Sequence, residues 1–374
     1  LEVATTRPET YFGDTAIMVH PDDSRYTDIV GKEVLLPLTD RTIKVITDSH
    51  VDMEFGTGVV KVTPAHDQND YEVGKRHNLE FIKVFDEAGI LNDYCGEFAG
   101  LERLEARPVI VKALENAGYI VKIEDHVHQV GHCYRCKNIV EPFISQQWFL
   151  SEKIAKSSID KTKEHNNFHP QHWINSYTAW MDELRPWCIS RQLWWGHRIP
   201  VFTCDSCNHQ WADKDDEPEA CPKCGGKHYT QDPDVLDTWF SSALWAMSPL
   251  GGGNNGQLED LYNEMQDMKD FYPNSLLITG FDIMFFWVAR MMMMGDHFQG
   301  ELPFKDIYMH ALVRDETGAK MSKSKGNVID PLDMVEEHSA DIIRFTLAYL
   351  AVQGRDIKLG AKNLDQFRNF TNKL

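Results

Sequence analysis

Four cysteines constrain this chain more tightly than any other feature of its sequence. Cys204-x2-Cys207 and Cys221-x2-Cys224 are separated by 13 residues, and Gly225-Gly226 follows the second pair. Four thiolates at that spacing match a closed tetrahedral zinc site in a ribbon or knuckle. A zinc site with no open position is structural, so it carries no catalytic role. Cys133-Tyr134-Arg135-Cys136 repeats the Cys-x-x-Cys unit as a half-site that needs two more ligands. The other two cysteines, Cys95 and Cys188, stand alone and read as buried inert thiols. Thiolate pairs in a sequence with no secretory pattern point to a reducing, cytoplasmic setting.

A chain of 374 residues can bury a sizeable core and is expected to form two or three domains. Its net charge of −19, from 38 basic and 57 acidic residues, excludes binding nucleic acid by overall charge. Any RNA partner must therefore be held by local basic patches and by shape. The most apolar run, Ile283 to Gly295, is too short to span a bilayer and contains Arg290, so no membrane role is expected.

The first third reads as a small, mainly β, barrel-like domain. Leu1 to Thr10 suggests a strand entering a polar loop. Short β-branched runs follow at Val34–Leu38, Ile43–Ile46 and Val59–Thr63, with Gly, Asp and Pro between them. Alternation places Lys61 and Thr63 on one face of the last strand. His66 to Glu72 then opens a short helix that Asn78 could end. Asp67 and Asp70 suit two roles there. They can cap that helix, or they can face a cavity shared with Thr5, Thr6, Arg7, Lys61 and Thr63, holding an ammonium group and orienting a water. Leu101 to Gly118 has helical periodicity and reads as scaffold. Ser151 to Glu164 reads as a solvated, charged helix.

The last third carries an α/β pattern. Ser275 to Thr279 reads as a buried strand, Gly280-Phe281-Asp282 as a turn, and Ile283 to Met294 as a helix stopped by Gly295. Ligands collect at the carboxyl ends of strands in such units. Asp282 can cap the helix or reach a ribose hydroxyl. Ile283 and Trp287, four apart, share a helix face, and the Met291–Met294 run reads as core. A second strand, Ile307 to Val313, leads to Lys320-Met321-Ser322-Lys323-Ser324-Lys325-Gly326-Asn327, a loop suited to bringing ammonium groups to a polyphosphate.

That lysine loop resembles the Lys-Met-Ser-Lys-Ser signature of class I aminoacyl-tRNA synthetases. Thr5 to Thr10, Gly56-Thr57-Gly58 and Pro64 to Tyr71 resemble the editing domain of their valyl, isoleucyl and leucyl branches. Isoleucyl enzymes usually have Thr-Thr-Pro-Trp where this chain has Thr6-Arg7-Pro8-Glu9, and leucyl enzymes have Asp at Glu9, so the valyl branch fits best. Trp187 to Pro200 also resembles the valyl branch, and Asp232 to Ser242 resembles the class I branch that handles branched aliphatic amino acids. The fold implied is a partial Rossmann-type catalytic domain with a barrel-like editing domain and a zinc ribbon. The expected divisions are 1–125 (editing), 126–200 (return to the catalytic domain), 201–230 (zinc ribbon), 231–330 (second catalytic half) and 331–374 (start of a helical stem-contact region).

The resemblance implies roles as well. Lys320 and Lys323 would be catalytic, and Gly280, Asp282 and Ser322 would join them in binding ATP with its Mg2+. Trp239, Ile283 and Trp287 would form the amino-acid pocket, admitting valine and excluding isoleucine. Arg7, Lys61, Thr63, Asp67 and Asp70 would line the pocket for a misattached amino acid, with Asp70 on its ammonium. The implied activity is ligation of valine to its tRNA by a monomer, with hydrolysis of mischarged threonine. The His-Ile-Gly-His signature of the family is absent, so the chain is expected to be an internal fragment without ATP–pyrophosphate exchange. An isoleucyl or leucyl fragment, a free-standing deacylase and a zinc-stabilised RNA-binding module are the alternatives.

Overall fold

A computed structural model describes residues 1–133, 136–165, 168–251, 266–322, 325–352 and 355–374. It divides into two compact units, Leu1–Gln146 and Gln147–Leu374.

The first unit starts differently from the expected strand. Leu1 to Thr5 pair with no described strand, and Pro8–Gly13 coils into a 3-10 helix. Pro8 has the fixed φ that a first helical turn needs, and burial of Tyr11 and Phe12 anchors the turn to the core. Four strands follow: β1 (Ala16–Val19), β2 (Glu33–Leu35), β3 (Thr42–Thr47) and β4 (Val59–Val62). Their order is β2-β3-β1-β4, with β1 parallel to β3 and antiparallel to β4. All four residues of β1 are buried, as a central strand covered on both faces requires.

The sheet is open, which corrects the barrel-like expectation. Among the described residues no pairing joins the edge strands β2 and β4, and strands of three to six residues leave little length for closure. Helices fill the role a closing strand would have had. Helix α1 (Gln68–Arg76) lies beside β4, and α2 (Arg103–Asn116) buries Ala106 and Ile110 against Phe12, Val45 and Leu91.

In the second unit, β5 (Phe168–His169) lies on one edge of a small parallel sheet described below. Next in the chain, β6 (Val201–Cys204), β7 (Gln210–Ala212) and β8 (Tyr229–Gln231) make an antiparallel sheet in the order β7-β6-β8. It carries the four-cysteine loops. After the short helix α3 (Thr238–Ser242), β9 (Asn274–Gly280) and β10 (Phe304–His310) pair in parallel with Gly280 opposite His310, and β5 completes the order β9-β10-β5. The α/β reading of this part holds, with one correction to burial. Leu277 and Thr279 are buried, while Leu276 and Ile278 are 50% and 59% exposed, so β9 is covered on one face only.

The helix after β9 also differs from expectation. Phe281–Ile283 is a 3-10 turn and Met284–Val288 a π turn; α4 (Ala289–Gln299) then runs past Gly295. Gly300, at φ +70°, is the true stop. Gly295 is needed for close packing instead: a Cβ there would come within 2.6 Å of the Tyr272 hydroxyl and 2.9 Å of Pro303. Met291 to Met294 are fully buried, as expected of core. The chain closes with α5 (Pro331–His338), capped by Asp330, and α6 (Ala340–Leu350) over a core of Met334, Ile342, Ile343 and Ile357. No described helix is long and apolar enough to cross a membrane.

Candidate functional sites

In the first unit the fold brings four polar side chains to one buried point. The Lys61 ammonium donates to Thr63 Oγ1 at 2.5 Å and to Asp14 Oδ1 at 3.2 Å, and the Thr63 hydroxyl donates to the same Asp14 oxygen at 2.5 Å. The backbone N–H of Thr63 donates to Asp70 Oδ2 at 2.8 Å. The β1–β4 pairing sets this up, because Lys61 and Thr63 alternate onto one face of the chain and Asp14 lies just ahead of β1. Burial pushes the Asp14 carboxyl up, against the pull of Lys61 and Thr63. Burial also lifts Asp70 to about 6, opposed by the Thr63 N–H and reinforced by the nearby Asp67.

Around this point the other expected residues take separate places. Asp67 is the helix cap, accepting from the backbone N–H of Asn69 at 2.8 Å and of Asp70 at 3.1 Å. The two acids thus divide the alternatives: Asp67 caps, and Asp70 faces the cluster. Arg7 donates to the His66 carbonyl at 2.6 Å and also bonds Glu141. Thr5 accepts from the Arg7 backbone N–H at 3.0 Å, and both Thr5 and Thr6 are exposed. Behind Arg7 runs a chain of charges. Fully buried Glu9 receives two bonds from Arg107, at 2.8 and 2.7 Å, and lies 3.7 Å from Arg7. Glu141 joins Arg7 to Arg103 at 3.3 Å. His66 accepts from the Val84 N–H through Nε2, and burial together with the Arg7 charge depresses its pKa to about 4. It is therefore a neutral spacer at ordinary pH.

In the second unit the lysine loop meets the carboxyl end of β9. Lys320 Nζ lies 3.5 Å from Asp282 Oδ2. Gly280 leaves the room for this, since a Cβ there would sit 2.7 Å from Asp282 Oδ1. Asp315 sets the base of the loop by accepting from Thr317 N–H, Ala319 N–H and the Asn327 side chain at 3.0, 2.8 and 2.8 Å. Bonds from Thr317 and Asn327 hold its carboxyl down at about 2. Asn327 Oδ1 in turn accepts from the Ser322 N–H at 2.9 Å. Lys323 lies outside the described residues. Of the residues expected in an amino-acid pocket, Trp239 lies on α3 and stacks on Phe286 at 5.9 Å, and Trp287 lies in the π turn, where its Nε1 donates to the Ser242 carbonyl at 3.0 Å. Ile283 ends the 3-10 turn just ahead of the π turn. Ile283 and Trp287 are therefore joined through a 3-10 turn and a π turn and not through the regular α-helix the spacing suggested.

The family model for class I tRNA synthetases (I, L, M and V) matches residues 65–360. The chain belongs to the class I tRNA synthetases. A model described as the leucyl-tRNA synthetase editing domain matches residues 27–95 of this synthetase chain. Among curated relatives, the valine–tRNA ligase of Campylobacter jejuni (strain RM1221) is 64% identical over 375 residues, covering 100% of this chain and 43% of that protein. The valine–tRNA ligase of a Nitratiruptor species is 66% identical over 375 residues, again covering 100% and 43%. The chain thus spans less than half the length of these relatives. The solved ternary complex of Agrobacterium radiobacter K84 LeuRS with tRNA and LeuAMS matches at 19% identity and a TM-score of 0.44, covering 100% of this chain and 45% of that one. At that score the likeness carries no argument.

The synthetase's four zinc-type cysteines come together as their spacing predicts. Their Sγ atoms all lie within 4.8 Å of one another, with Cys204–Cys224 at 3.5 Å and Cys207–Cys221 at 3.8 Å. A tetrahedron of thiolates about 2.3 Å from zinc has edges of about 3.8 Å, so the donor set fits that ion. The backbone prepares the fit. The N–H of Cys204 donates to the His209 carbonyl and the Cys204 carbonyl accepts from Asn208, both at 2.9 Å. Cys221 repeats this with Gly226 and Gly225 at 2.8 Å. Cys133 repeats it again, with Asn138 at 2.8 Å and Lys137 at 2.9 Å. The fifth position of each loop, Asn208, Gly225 or Lys137, has positive φ. Among the described residues only the first two loops combine into a full ligand set. Of the lone cysteines, Cys95 is buried and pushed up to about 12 by that burial, while Cys188 is only half-buried.

Sequence reasoning missed Asp14 and Asp315, and gave Glu9 no structural role. Asp315 and Asn327, as turn-forming side chains on either side of the lysine loop, were a usable signal. Asp14 had none, since its partners stand 47 and 49 residues away.

Proposed function

We propose that this chain serves valine–tRNA ligation, with its first unit hydrolysing threonine misattached to tRNA(Val). The observation that carries the reading is the 64% identity to a valine–tRNA ligase over the whole chain, and the buried carboxylate of Asp70 beside Thr63 supports it. An apolar pocket rejects threonine poorly because it is nearly isosteric with valine, the standard illustration of why a second, hydrolytic sieve is needed.

In that sieve Asp70 holds the α-ammonium of the misattached residue, and Lys61, Thr63, Asp67 and Arg7 border the ester, with Thr5 and Thr6 at its rim. Water adds to the ester carbonyl, the acyl C–O bond to the terminal ribose breaks, one of the water's protons goes to the leaving ribose oxygen and the other to solvent, and threonine departs as its carboxylate. In the second unit, Trp239, Ile283 and Trp287 size the amino-acid pocket. In a full-length valine–tRNA ligase, valine's carboxylate attacks the α-phosphate of ATP, which arrives as its magnesium complex, and pyrophosphate leaves; the present chain, spanning 43% of such a relative, retains at most the editing step. Gly280, Asp282, Lys320, Ser322 and Lys323 serve the nucleotide, the lysines countering charge that develops on the phosphates. Cys204, Cys207, Cys221 and Cys224 hold a structural zinc, and Cys133 with Cys136 supply half of a second thiolate site. The protein acts as a monomer in the cytoplasm. The divisions at 125, 200, 230 and 330 belong to this reading.

The test is deacylation of tRNA(Val) charged with threonine, valine or isoleucine. Faster loss of threonine than of the other two is expected. Equal hydrolysis of all three would indicate a general deacylase, and no hydrolysis would remove the first unit's role.

A further inference from the structure

Two buried carboxylates flank Thr63, and the nearest ammonium is bonded to one of them only, with the Arg41 charge acting on that same side. Asp14 and Asp70 are both buried, yet among the described residues Lys61 is the single cation bonded to the Asp14 and Thr63 side chains. Thr63 separates the two acids, giving its hydroxyl to Asp14 and its backbone N–H to Asp70. Lys61 is committed to the Asp14 side, at 3.2 Å, with side chains 13% and 4% exposed. Asp70 makes no ion pair among the described residues, although the Lys61 charge is close enough to act on it. Asp14 is itself firmly placed: its backbone N–H donates to the Tyr11 carbonyl at 2.9 Å, and its carbonyl accepts from Arg41 at 2.8 Å. The turn before it has no slack, since a Cβ on Gly13 would lie 2.8 Å from the Ile82 carbonyl.

We propose that Asp14 is a positioning residue of the hydrolytic pocket, holding Lys61 away from Asp70 so that Asp70 stays open to the ammonium of the misattached amino acid. This rests on the editing reading above and adds to it a residue that never touches substrate. With Asp14 present, the Asp14–Lys61 pair is neutral and the incoming ammonium balances Asp70. Without its charge, Lys61 has one buried carboxylate left to pair with and competes with the substrate for it.

The test compares binding of two non-hydrolysable probes to the full chain. One is the threonyl amide of 3′-amino-3′-deoxyadenosine; the other is the same compound without its α-amino group. The wild type is expected to prefer the amine-bearing probe by roughly tenfold, the scale of a charge-assisted hydrogen bond. Asp14→Asn, which keeps a hydrogen-bond acceptor for Thr63, is expected to lose most of that preference. Asp14→Asn combined with Lys61→Met removes the competing cation and is expected to restore it, an outcome that simple destabilisation would not produce. Full preference in Asp14→Asn, or none in the double variant, overturns the role of Asp14 alone. No preference in the wild type overturns the editing reading and this inference together. If Asp14→Asn does not fold, Asp14→Ser, which also removes the charge and leaves an oxygen to accept from Thr63, is expected to lose the same preference, and full preference there overturns the role of Asp14.

Discussion

Lys61 and Lys320 each lie near a carboxylate, at 3.2 and 3.5 Å, yet the first side chain is 13% exposed and the second 74%. Around Lys61, Asp14 and Thr63 form a closed triangle inside the first unit. Around Lys320, the organised part is the loop base, where Asp315 and Asn327 tie the backbone and leave the lysine tip in water. An exposed pair is worth little and exchanges partners easily, whereas a buried ion must be matched where it stands. The first unit therefore fixes its charges in advance. The second fixes the backbone that carries them.

The largest effect that would test this contrast is expected at Asp70. Asp70→Asn should lower deacylation of threonyl-tRNA by about a hundredfold, the scale of removing a group that orients a substrate for hydrolysis. The wild type should gain deacylation activity as pH rises through about 6, where Asp70 ionises, and the variant should lose that step. Stability should run the other way. A carboxyl whose pKa is raised on folding binds its proton more tightly in the native state, so stability falls as pH rises from about 4 to about 6. Urea titrations across that range should show a smaller decline in Asp70→Asn; an unchanged decline would mean that Asp70 is not held in a dry site.

A smaller effect is expected at Glu9. Glu9→Gln leaves Arg107 facing a neutral amide at a fully buried position, which costs about 2 kcal/mol in urea unfolding. Loss of a wholly buried pair costs about 3–5 kcal/mol, and Arg107, at 37% exposed, recovers part of that from water. A cost near zero would place the first unit's ion network in the same class as the exposed pair at Lys320.

The smallest thermodynamic effect belongs to Asp315. Asp315→Ala should speed tryptic cleavage after Lys320 while leaving the melting temperature unchanged to within about 1 °C, because its bonds order one surface loop. A large fall in melting temperature would show that the loop base supports the unit's core.

What could be read from the sequence was chiefly local. The cysteine loops close through hydrogen bonds between near neighbours, so their spacing carried the geometry. The same holds for Asp67 as a helix cap and for Lys61 and Thr63 sharing one face. Where the outcome depended on distant chain, the reading failed. Gly295 looked like a helix stop because nothing local revealed Tyr272 and Pro303 packed against it. The barrel expectation failed because β-branched runs say that strands exist but not which edges meet. Asp14 stayed invisible because β1 and β4 had to pair before its partners arrived. Glu9 stands in a family-like motif, but its role as a buried acid depends on Arg107 from a helix 98 residues away.

The repeated backbone of the cysteine loops has a consequence for the order of events during synthesis. Each loop is tied by hydrogen bonds that begin at one cysteine and end at the fifth or sixth residue of the loop, as from Cys204 to Asn208 and His209. Such a turn needs no sheet and no distant segment, so each pair of sulfurs can be presented as soon as its own few residues leave the ribosome. An ion captured by the earlier pair would then guide the later one into register, and the three antiparallel strands β6, β7 and β8 would assemble around a point already set.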